Sequence, residues 1–211
     1  RCSEEELSAK IASAAKYNPI VEAMAKDLVD EISIERSDSL ALELLNEFET
    51  RYPKSQYRPI ALYYKLYNLA NRKNWTGMIQ ALPSVDNLEP VSAYIAALFL
   101  LSPTFRKDFS GTEDLLELAE QYLELASSPK EQTLLYDLYS VADWQARVRL
   151  QQAKLYYYQL VEPYNFYGDE LDTLVLPKNK LKQQKELFAL LSTVNFSNNN
   201  RGEQAETNFW M

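Results

Sequence analysis

A chain of 211 residues is long enough for a substantial core, and its net charge of −8 lacks the cationic excess that nucleic-acid phosphates require. With no histidine and one cysteine it holds no His-ligated metal site, no histidine base, no Ser-His or Cys-His nucleophile and no internal disulfide. Only 4 glycines, set among long stretches of Leu, Ala, Glu, Lys and Gln, argue against glycine-dependent β turns and for an all-α fold.

Prolines divide the chain into helix-length pieces, as expected where they open helices or sit in joints. Residues 3–16 read as a helix with Leu7 and Ile11 on one face and Glu4, Glu5 and Glu6 near its N-terminus. Residues 19–34 follow, with Ile20, Met24, Leu28 and Ile32 as the apolar stripe. Asp38 or Ser39 can cap the next helix, whose stripe is Leu40, Leu44, Leu45 and Phe48. Helices over 59–72 and 75–82 come next. The run VSAYIAALFLL at 91–101 has no polar face, and its eleven residues fall short of the ~20 that span a bilayer. It reads as a helix buried on all sides.

After Gly111, residues 112–126 form a helix with Leu115, Leu116, Ala119, Leu123 and Ala126 inward. Residues 130–161 are one helix, or two broken near Val141 and Ala142. Residues 162–177 read as irregular, and 178–194 close the domain with Leu181, Leu187, Leu190 and Leu191 inward. The expected organisation is one α-helical domain over 1–196 and a mobile, Asn-rich tail over 197–211 that ends in Phe209, Trp210 and Met211.

The stretch RYPKSQYRPIALYYK, residues 51–65, reads as the joint of a repeat. Ala41, Leu45, Phe48 and Pro53 have the spacing of a hairpin's second helix: a small residue at a close crossing, two apolar turns, and a terminating proline. Ala61, Leu62, Tyr63 and Tyr64 then open the next helix, with Trp75 ahead of its partner. These residues, within about 45 positions over 38–82, resemble a tetratricopeptide-repeat (TPR) subgroup of bacterial envelope proteins. That subgroup includes the Tol-Pal-associated coordinator and the lipoprotein of the β-barrel assembly machine. The pattern departs at Lys65 and Leu66, where the family has a large apolar and a small residue, and at Met78, where it has alanine. The resemblance implies antiparallel helix hairpins stacked as a superhelix or array.

In such stacks the first helix of each hairpin lines a concave groove, so the resemblance implies that Tyr63, Tyr67 and Asn71 face it, one turn apart. Packing between adjacent repeats is the competing role for these tyrosines. The run LYYYQL, 155–160, supplies two further candidates, Tyr157 and Tyr158, since three consecutive tyrosines cannot share one helix face. A helix end with a loop packed over it explains this cluster equally well. Cys2, ahead of a polar SEEE segment, is a lipidation candidate, although Arg1 stands where such cysteines follow a small residue.

The functional expectation is a non-enzymatic scaffold that binds a protein or peptide, with no nucleic acid, no cofactor and no metal. Its expected location is the bacterial periplasm or outer membrane, possible lipid anchor included, with no transmembrane span. Two alternatives stand beside it. One is a carboxylate-dependent enzyme acting on a glycan from a helical scaffold. The other is a cytoplasmic acidic adaptor that binds a basic partner.

Overall fold

The computed structural model describes residues 19–35, 39–86, 88–109, 113–127, 141–161 and 181–194. All regular structure among them is α-helical, and the chain divides into two compact units, Arg1–Leu82 and Pro83–Met211. The readings for 3–16, 162–177 and the tail lie outside the described residues, as do Asp38 and Cys2.

The first unit holds α1 (Pro19–Ile34), α2 (Ser39–Arg51), α3 (Arg58–Asn71) and α4 (Trp75–Gln80). Helices α1, α2 and α3 pack on one another in all three pairs, and α4 packs on α3. Their core joins Ala25, Val29 and Ile32 of α1 to Leu45, Phe48, Tyr52 and Ala61. Small side chains at Ala25, Ala41 and Ala61, all buried, suit close approach of the helices.

Two expected stripes are corrected. The buried face of α1 is Glu22, Ala25, Val29 and Ile32, whereas Ile20 and Met24 are exposed and Leu28 is half-buried. Rotation toward Ala25 brings a small residue to the contact, and it is affordable because the Glu22 carboxylate finds a hydroxyl donor inside. In α2 the buried line is Ala41, Leu45 and Phe48, with Leu40 exposed and Leu44 half-buried.

The joint between α2 and α3 is built as its prolines dictate. Pro53 follows the end of α2, and Pro59 lies buried in the first turn of α3, where no intrahelical donor is lost. Helix α3 ends without glycine. The Asn74 amide donates to the Leu69 carbonyl and the Lys73 amide to Ala70, both at 2.9 Å, with Lys73 left-handed at φ 53°. This is the paired C-terminal closure usually given to glycine.

The second unit is organised around α5 (Pro90–Leu100), in which every residue from Val91 to Ala97 is buried. It packs against α6 (Pro103–Asp108), α7 (Glu113–Ser127) and α8 (Val141–Val161). Helix α9 (Leu181–Ser192) packs on α8 through Leu187 and Leu191, against Ala146, Leu150 and Ala153. In α7 the buried residues are Leu116, Ala119, Tyr122, Leu123 and Ala126. Helix α6 was not expected from sequence, although Ser102-Pro103 is its start signal: Ser102 Oγ accepts from the Phe105 amide at 3.3 Å.

Candidate functional site

Helix α3 places the expected groove residues on one line. Tyr63 and Tyr67 stack with ring centroids 6.0 Å apart and planes 23° from parallel. Tyr63 also meets Tyr64 edge-on at 5.5 Å, and Tyr64 packs on the core of the first unit. These three rings are half-buried, and Asn71, one turn beyond Tyr67, is exposed. The result is an aromatic surface tied to the core through Tyr64 and continued by a carboxamide. Rings held this way lose little further freedom when something packs on them.

Two polar links position this helix. Ser55 Oγ donates to Glu22 Oε2 at 2.7 Å and accepts the Tyr57 amide at 3.1 Å, inside the first unit. Glu22 and Ser55 are 8% and 6% exposed, so the bond ties α1 to the joint that launches α3. Lys65 Nζ donates to both oxygens of Glu49, at 2.7 and 2.8 Å, and joins α3 to α2. That ion pair is worth at most about 1 kcal/mol at this exposure.

At the other end of α3, Asn74 caps α4 by accepting the Gly77 amide at 3.0 Å. A Cβ on Gly77 would meet that carboxamide at 2.6 Å, so glycine makes room for the cap. Trp75, Met78, Leu66 and Asn68 are all buried. The Ser55–Glu22 bond and the burial of Asn68 were not foreseen from sequence. A serine between two prolines signals a turn, and its distant acidic partner carries no local signal.

Tyr157 and Tyr158 belong to the second unit. Tyr158 is 3% exposed, with the buried Arg106 guanidinium 5.8 Å from its ring centre. Tyr157 meets it edge-on at 5.5 Å and is half-buried against the α8–α9 core. Burial raises the Tyr157 phenol above the usual tyrosine range. Of the run of three, Tyr156 is the exposed member. Trp144 on α8 donates from Nε1 to the Ala126 carbonyl at 3.1 Å and packs on Tyr94 at 5.1 Å, which locks α8 to α7 and α5.

Among the described residues no helix is long and apolar enough to cross a membrane. No family model matches this sequence, and neither the curated proteins nor the solved structures provide a match.

Proposed function

We propose that the protein is a non-enzymatic, TPR-like scaffold of the bacterial cell envelope that holds a protein or peptide segment on the Tyr63–Tyr67–Asn71 line. The stacked Tyr63–Tyr67 pair carries this reading. Two aromatic rings at four-residue spacing, half-buried and braced by a third, form the kind of rigid amphipathic anchor on which binding energy concentrates. Asn71 supplies the polar group that would fix the strand or helix direction of a bound segment.

The repeat assignment draws support from the joint itself. Ala61 and Phe48 share one core, Trp75 is buried beside α3, and α1, α2 and α3 pack in all three pairs. Envelope placement rests on the RYPKSQY joint and on Cys2 as the position of a lipid anchor.

Replacing Tyr63 and Tyr67 together by alanine tests the site. In pull-downs from envelope extract the double variant is expected to lose at least tenfold of a partner that the unaltered chain recovers, with helicity by circular dichroism unchanged. Undiminished recovery by the folded variant removes these residues from the binding account.

A further inference from the structure

Helix α1 turns a polar edge toward α3. Glu22 meets Ser55 at the joint that launches α3, and Lys26 and Asp30 follow Glu22 at four-residue spacing along the same edge. Unlike Glu22, these two reach solvent. Their side chains are 53% and 60% exposed, and Lys26 Nζ donates to Asp30 Oδ2 at 2.6 Å. That bond, with smaller contributions from Tyr57 just before α3 and from Asp27, holds the Lys26 ammonium above the usual lysine range.

The tyrosine line opens on the same side. Lys65 lies about 200° around α3 from Tyr63 and reaches Glu49 of α2, so the Tyr63 side of the helix is turned away from α2. Ile60 and Tyr64, beside Tyr63 and Tyr67 on the surface of α3, pack on the core shared with α1. The opening therefore has an aromatic wall on α3 and a charged wall, Lys26 and Asp30, on α1.

The charge of this opening has one sign in excess. Exposed Asp27, Asp30 and Glu31 stand against Lys26 alone on α1. The cations of α3, Arg58, Lys65 and Arg72, recur every seventh residue and so share the Lys65 side, away from the tyrosines. A carboxylate next to aromatic rings favours a cation, because the rings attract it through their quadrupoles and the carboxylate accepts a charge-assisted hydrogen bond.

Resting on the binding role proposed above for the tyrosine line, we infer that the segment held there is basic. A Lys or Arg side chain of the partner seats between Asp30 and the Tyr63–Tyr67 rings, and Lys26 is the resident counter-ion that it displaces.

The test is selection of displayed random short peptides on the full chain, followed by binding of a selected synthetic peptide to folded variants. Sequences rich in Lys and Arg are expected. For such a peptide Asp30→Asn is expected to weaken binding about fivefold and Lys26→Ala to strengthen it about twofold. Glu117→Gln with Glu120→Gln, on the acidic face of α7, is expected to leave it unchanged. Peptides without a basic excess overturn the inference, and so does equal weakening by the α7 pair, which would mark a response to overall charge alone. In either case loss of capture in Tyr63→Ala with Tyr67→Ala keeps the tyrosine line as the site. Capture that survives that double variant, or no enrichment at all, removes the line and the inference together.

Discussion

Ser55 binds the Glu22 carboxylate and the Tyr57 amide at once, so its loss strands a carboxylate that is 8% exposed. Ser55→Ala is expected to lower stability by about 1–3 kcal/mol, measured by urea unfolding. Lys73 points the other way. A left-handed lysine costs roughly 1–2 kcal/mol of backbone strain that glycine avoids, part of which glycine loses again through its freer unfolded chain. Lys73→Gly is therefore expected to raise the urea midpoint, with a net gain of about 0.5–1 kcal/mol.

Tyr122 gives a prediction in pH. Its hydroxyl donates to the Pro83 carbonyl, and burial pushes its phenol from 10.0 up to about 12. Below pH 10 the phenol is protonated in both folded and unfolded chains, and its contribution to stability is fully present. Between 10 and about 12 only the unfolded chain gives up the proton, so stability falls as pH rises. Titration of the phenolate band near ~295 nm is expected to lose a component that titrates at about 12 in Tyr122→Phe.

At the scale of elements, Ala61 shows how local spacing and packing agree. It was legible as a close-crossing residue, and it is 4% exposed in the core shared by α1, α2 and α3. Ala61→Leu is expected to destabilise the first unit by about 1–3 kcal/mol through overpacking, read from the urea midpoint. The burial of α5 from Val91 to Ala97 was equally legible, because a run with no polar face has nowhere to go but inside.

The rotation of α1 was not legible. Periodicity alone favoured Ile20 and Met24, and the deciding facts were the small Ala25 and the hydroxyl that accommodates Glu22, which lies 33 residues away in sequence. Helix α6 was missed for a different reason. Its six residues are too short to show a period, and only the Ser102-Pro103 cap marked it. The turn after α3 was legible from the readings for 59–72 and 75–82, although its conformation was not, since Lys73 takes the left-handed position usually given to glycine.

At the scale of the molecule, the first unit ends at Leu82, where the repeat-like pattern of the sequence also ends. The line of Tyr63, Tyr67 and Asn71 was readable as a four-residue spacing, and its bracing by Tyr64 was not, because ring stacking depends on rotamers that a sequence does not specify. Tyr157 and Tyr158 looked alike in sequence, but helix α8 is buried around most of its circumference and takes Tyr158 into the core beside Arg106.

The central claim is that a partner segment lies on the tyrosine line of α3. Site-specific photo-cross-linking in native cells tests it most directly, with a photoreactive phenylalanine at Tyr67, at Asn71 and at the exposed Glu43 of α2. The expected result is one adduct of the same mass from positions 67 and 71, and none from 43. No adduct at 67 and 71 in folded protein, or the same adduct from 43, contradicts it.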